Sequence, residues 1–183
     1  MIRSLLWILA AILLGGIVHL ATVLAMPQTA TEDAYSRLSP LTPVNSVVAL
    51  PSPTAKSAIM PFMDPAFATA VCRYDLRGGS IKLIAPVSQA YTSVTFYTRK
   101  SIAYYAINDR AAGRHSIELD LMTPEQHAAL PEDEDVTAAD RLIIESPSTM
   151  GLIVLRALAP EPGLLPMARQ ALAAATCSVQ PAQ

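Results

Sequence analysis

The sequence predicts an α+β, mainly β protein: an antiparallel, strand-rich, sandwich-like domain with a C-terminal helix, preceded by one transmembrane helix. Three observations lead there. Between Ala68 and Asn108, four runs rich in β-branched and aromatic residues alternate with short polar turns, at the roughly 8–12-residue spacing of an antiparallel β domain. The first 26 residues are almost wholly apolar. Near the other end, Leu164–Thr176 carries Leu164, Leu165, Ala168, Leu172 and Ala175 at helical spacing. A chain of 183 residues holds one domain plus a tether and leaves little room for a second domain.

Ser4 to Met26 contains no formal charge, and only Ser4, His19 and Thr22 interrupt the apolar run. At about 1.5 Å per residue it is long enough to cross a hydrocarbon core of about 30 Å. Arg3 and the α-amino group precede it, while Glu32 and Asp33 follow. The positive-inside rule therefore favours a cytoplasmic N-terminus with the remaining chain translocated. Two outcomes stay open: a retained anchor, or a signal peptide cleaved after Val23-Leu24-Ala25, with Leu5–Val18 as its apolar region. Both export the domain. His19 has no partner carboxylate in the span, so a neutral side chain near the headgroups is preferred to a proton relay.

Prolines at 27, 40, 43, 51, 53, 61 and 65 rule out a continuous helix and favour extended geometry. The segment 27–65 is therefore expected to be a semi-rigid spacer, with the mainly β domain occupying 66–183. Within the spacer, Asn45–Leu50 is apolar enough to lie on the domain as an edge strand, and Thr29–Leu38 suits a turn or two of helix.

The expected strands are Ala68–Leu76, Ile81–Pro86, Tyr91–Thr98 and Ile102–Asn108, taken as neighbours in one antiparallel sheet. In the first, Ala70, Cys72, Tyr74 and Leu76 share the inward face. The third and fourth carry apolar residues on both faces, which suggests central strands covered on both sides. Ser116–Met122 alternates, with Ile117, Leu119 and Leu121 inward and Glu118 and Asp120 outward. Thr123-Pro124-Glu125-Gln126 is a capping box with proline at the first helical position, heading a short helix Pro124–Leu130. Glu132–Asp135 is expected to be a solvated acidic loop, since the spacing of a calcium loop is missing. Arg141–Glu145 and Gly151–Ala159 complete the strands, although the latter also fits a helical period. Leu164–Thr176 should pack on the sheet.

Cys72 and Cys177 are the two cysteines. An even count in an exported chain invites a disulfide, here tying the chain's end to its first core strand. Two unpaired thiols are the alternative. A net charge of −2 supplies no basic face for nucleic acid. Neither His115 nor His127 has a second ligand at metal spacing, so no metal and no cofactor are expected. Nucleophile elbows, phosphate loops and dinucleotide fingerprints are missing. The ionisable residues to watch are Arg73, Asp75, Arg99, Asp109 and Arg110, as ion pairs or as the edge of a ligand site. Tyr91, Tyr97, Tyr104 and Tyr105 suit either core packing or an aromatic groove.

Pro61-Phe62-Met63-Asp64-Pro65-Ala66-Phe67, with Ala70–Leu76, Tyr91–Tyr97 and Ala106-Ile107-Asn108-Asp109, resembles a group of small bacterial membrane-anchored proteins related to the domain of unknown function 1254. The resemblance covers roughly 61–108, with a weaker echo in the final strand and helix. It implies a sandwich-like domain in the cell envelope and brings no reaction or catalytic residue. The expectation is a single-pass protein of the bacterial inner membrane, anchored through residues 4–26, with its C-terminal domain in the periplasm. The alternative is a soluble periplasmic or secreted protein, cleaved near Ala25. Functionally, a non-enzymatic binding or structural module that engages another envelope protein or a small ligand is expected. Its ligand-binding candidates are Arg73, Asp75, Tyr91, Tyr97, Tyr104 and His115. The competing expectation is an exported enzyme or accessory subunit using Arg73, Asp75 and His115.

Overall fold

The computed structural model describes residues 2–29, 33–112, 115–130 and 142–180, and the chain forms two compact units, Met1–Asp33 and Ala34–Gln183. The first unit is helix α1, Ile2–Thr29. Its window Ile2–Met26 has a mean hydropathy of 2.4 over 25 residues, none of it buried in protein. A helix apolar on every side has no face suited to water. At 1.5 Å per residue those residues measure about 38 Å, enough to cross a bilayer core. The Thr22 hydroxyl donates to the Val18 carbonyl at 2.8 Å, so this polar group is satisfied within the helix, as a hydrocarbon environment demands.

The second unit opens with α2 (Ala34–Leu38) and β1 (Val47–Ala49). Then come β2 (Phe67–Asp75), β3 (Ser80–Pro86), β4 (Thr92–Thr98) and β5 (Ala103–Asn108). One-turn helix α3 (Asp109–Ala112), β6 (Ser116–Met122), α4 (Pro124–Ala128) and β7 (Leu142–Glu145) follow. The chain closes with β8 (Met150–Leu158), α5 (Leu165–Ala173) and β9 (Thr176–Gln180). Two sheets result, one in the order β1-β2-β8-β4-β5 and the other β7-β6-β3-β9. All pairings are antiparallel except β6 with β7. This is the α+β, mainly β sandwich that the pattern predicts.

The expected strands form, but of their consecutive pairings only β4 with β5 is made. β3 leaves for the second sheet, and β8, from far downstream in the chain, inserts between β2 and β4. A sheet's two-residue period reports which side chains share a face and carries no information about which strand lies alongside. β5, expected to be central, is an edge strand with most residues exposed or half-buried. Gly151–Ala159 is strand rather than helix, because it pairs on both sides, with β2 and β4.

Between the sheets lies the main core. β2 contributes Ala70, Cys72 and Tyr74; β4 Val94 and Phe96; β8 Ile153 and Leu155; Ile81 and Leu83 face them from β3, and Ile117, Leu119 and Leu121 from β6. Helix α5 adds Ala168 and Leu172. It is shorter than expected: the chain turns out of it at Ala174–Ala175 and forms β9, which pairs with β3. That placement brings Cys177 to Cys72 in a disulfide with Cα atoms 6.5 Å apart, joining the two sheets across 105 residues of sequence.

The segment 34–65, expected to be a spacer, belongs to the compact unit. Its prolines do bar a continuous helix, but Tyr35, Leu38 and Leu50 are buried against Val71 and Leu152 on the outer face of the five-stranded sheet. Asn45 fastens this cover, its side chain exchanging hydrogen bonds with the backbone of Asp75 (2.8 and 3.2 Å). β1 pairs with β2 as the edge strand expected near Asn45–Leu50. The capping box of α4 is present, with Thr123 Oγ1 accepting from the Gln126 N–H at 3.2 Å and Gln126 Oε1 from the Thr123 N–H at 2.9 Å. Asp120, expected outward with Glu118, is buried; it stands between Lys82 of β3 and Ile143 of β7, whereas exposed Glu118 lies before the stretch that β7 pairs. Glu132–Asp135 and Arg141 lie outside the described residues.

Candidate functional site

The ionisable candidates are dispersed. Asp75 bonds its near neighbour Arg77, whose Nε donates at 2.9 Å. That hydrogen bond, opposed in part by burial, holds the Asp75 carboxyl below its ordinary value. From Asp75 the chain passes through a single turn into the Ser80 end of β3, while exposed His115 lies beyond its Pro86 end, its carbonyl accepting from the Val87 N–H at 2.9 Å. Seven strand residues span roughly 20 Å. His115 therefore cannot act with Arg73 and Asp75, and the constellation on which the enzymatic expectation rested is not assembled. Asp109 accepts from the Thr92 N–H at 3.4 Å. The Arg99 guanidinium sits 4.1 Å from the centroid of the Tyr35 ring, and Arg110 is exposed. Among the described residues, no cluster of His, Cys, Asp or Glu could hold a metal ion.

The tyrosines also separate. Tyr104 packs on the inner core, and its hydroxyl lies 3.2 Å from that of Tyr74. The fully buried Tyr74 also reaches Ser146 Oγ at 3.0 Å and donates towards the Tyr97 carbonyl at 3.2 Å. Gly151 makes this possible, since a Cβ there would fall 2.1 Å from the Tyr97 carbonyl oxygen and 2.4 Å from the Tyr74 hydroxyl. Burial, with the neighbouring Tyr74, pushes the Tyr104 phenol far above its ordinary value, so it stays protonated at neutral pH. These hydroxyls are a structural network. A register shift between Phe96 and Tyr97 leaves Tyr104 as the extra residue of a bulge, and Phe96 consequently meets both Tyr104 and Tyr105, with centroids 6.2 and 6.0 Å away. Tyr91 is half-buried at the entrance to β4 and outside the cleft described next.

Of the predicted ligand residues, Tyr97 lines a sizeable concavity. This is a cleft of about 340 Å³ between the outer face of the five-stranded sheet and the covering segment, within the range of about 300–1,000 Å³ usual for ligand sites. Its floor is Val71, Leu152 and Val154, and Met60 and Met63 overhang it. Polar groups are few: Thr69, Arg156, Ser101 and Asp64. Asp64 is engaged locally, its Oδ1 accepting from the Ala66 N–H at 2.9 Å. At the rim, Phe62 is fully exposed with φ of 60°, a left-handed conformation that is costly for a bulky side chain and is retained chiefly where function needs it.

Sequence reasoning passed over Arg156, Met60 and Met63. A signal for the first existed: Arg156 is the one charge in the apolar run Met150–Leu158. The methionines lay in a segment whose prolines pointed to a spacer.

No family model matches this chain, and no curated protein matches it. In fold it is similar to the VPA0106 protein from Vibrio parahaemolyticus, with a TM-score of 0.58 and 11% identity over 82% of this chain and 37% of that one. An uncharacterised protein from Burkholderia cenocepacia aligns with a TM-score of 0.46 and 13% identity, over 68% of this chain and 34% of that one. The chain thus spans little more than a third of the length of either. The first likeness reports a shared fold and carries no chemistry with it.

Proposed function

We propose that this is a membrane-tethered envelope protein, non-enzymatic, whose two-sheet domain lies on the periplasmic side and binds a ligand in the outer cleft. The observation that carries the placement is the pairing of an unburied apolar helix of 25 residues with a disulfide, since such bonds persist in oxidising compartments. The resemblance to proteins related to the domain of unknown function 1254 points the same way. Binding rather than catalysis is favoured because the ligand-sized cleft is mostly apolar and the residues an enzyme would have used stand apart. The test is a pair of fusions after Gln183. Alkaline phosphatase, which needs export, should be active and β-galactosidase silent; the reverse pattern overturns the placement. Intact mass of the mature protein distinguishes the tethered form from one cleaved near Ala25.

A further inference from the structure

The register of the five-stranded sheet sorts the outer face into rows. Arg156 on β8 stands opposite Thr69 on β2 and Ser93 on β4. These three residues form one polar row across three adjacent strands, whose spacing is about 4.8 Å. The next row on the same face is apolar at its centre, with Val71 opposite Val154. Beyond it Leu152 faces Tyr97, and the cleft runs over both rows beneath Met60 and Met63. Of the polar row, Arg156 and Thr69 line the cleft, so hydrogen-bond donors border an oily channel.

Arg156 is held ready for a ligand. Its guanidinium carbon lies 4.3 Å from the centroid of the Phe67 ring. Stacking engages the face of the planar group and leaves its N–H edges available for an oxyanion. Among the described residues no carboxylate pairs with it. Asp64, the other charge lining the cleft, is tied to the Ala66 N–H. A half-buried cation with no carboxylate partner among the described residues, beside the Thr69 hydroxyl and opening on an apolar channel, is complementary to a molecule of the opposite construction.

We infer that the cleft takes a single-chain amphiphile with an anionic head: the head on Arg156 and Thr69, the chain over Val71, Val154 and Leu152. This rests on the cleft being a binding site, as proposed above, and adds the chemical class of what it binds. Carboxylate and phosphate monoester heads share this chemistry, because a guanidinium edge presents paired donors to either.

The test uses the full chain in lipid nanodiscs and a decanoate analogue with a photoreactive group on its chain, with cross-links mapped by mass spectrometry. Saturable labelling of Met60, Met63 or Val154 is expected, competed by decanoate and decyl phosphate at least tenfold better than by decanol or decyltrimethylammonium. Arg156→Gln should weaken labelling about tenfold, as loss of one charge-assisted contact implies, with Arg156→Lys intermediate. Thermal melts confirm that both variants are folded. If decanol competes as well as decanoate and Arg156→Gln labels normally, the head-group assignment is wrong while the cleft still binds. If a photoreactive decanol also leaves the cleft unlabelled, the binding reading itself is wrong. Comparing decanoate with decyl phosphate identifies the preferred head.

Discussion

The two faces of the five-stranded sheet are built from the same strands and do opposite jobs. On β8, Ile153 faces inward and Leu152 outward, and both are essentially inaccessible. Inside, Ile153 meets a second sheet whose rows interdigitate with its own, and a disulfide joins the two. Outside, Leu152 meets α2 and an irregular, proline-bearing segment that cannot present a regular ridge to the sheet. The mismatch leaves a cleft. Two sheets can close on each other without voids, whereas a short helix and a loop cover a sheet only in patches. A site on this protein is therefore expected where the packing is least regular.

That contrast can be tested by energetics. The largest expected effect is loss of the sheet-to-sheet bridge. Replacing Cys72 and Cys177 by serine should lower stability by about 4–5 kcal/mol on the loop-entropy account, read as a fall in the urea midpoint. A loss below about 1 kcal/mol would show that the sandwich holds without it. Next come adjacent truncations on β8. Ile153→Ala, in the sealed core, should cost towards the upper part of the roughly 2–5 kcal/mol range for such changes. Leu152→Ala should cost towards its lower end, because flexible Met60 and Met63 beside it can move into the space. Equal losses by urea titration would erase the distinction between the faces.

The smallest effect concerns Asp75, at the end of β2. Its folded-state carboxyl is held below the ordinary value of 3.8, chiefly by the Arg77 hydrogen bond. A depressed carboxyl contributes stability that is fully present above the unfolded value and is lost as pH falls through the folded one. The pair is solvent-exposed on the Arg77 side, so the contribution is screened and small. Asp75→Asn should lower the melting temperature slightly near neutrality and flatten the acid limb below about pH 4, the variant and the parent converging at lower pH. A loss that persisted undiminished at the acid end of the curve would point to another role for this carboxylate.

Much of this was legible from residue order. Alternation in Ala70–Leu76 gave the inward face and placed Cys72 on it. Thr123 with Gln126 gave the cap of α4, and the uncharged run from Ser4 to Met26 gave the helix. The site was legible only in part: Tyr97 is in the cleft, while Tyr104 and Tyr91 lie elsewhere. A strand's aromatic residues cannot reveal whether they will meet another sheet or a covering loop.

By itself the sequence determined what is local: where strands and helices form, which side chains share a face, and that one segment is too oily for water. Those properties depend on periodicities of a few residues. Tertiary structure alone decided that β8 slots between β2 and β4, that β9 exists and carries Cys177 to Cys72, and that residues 34–65 fold back as a roof. Such choices rest on contacts between residues distant in the chain, where many partners offer similar apolar surface and only the packing of the whole selects among them.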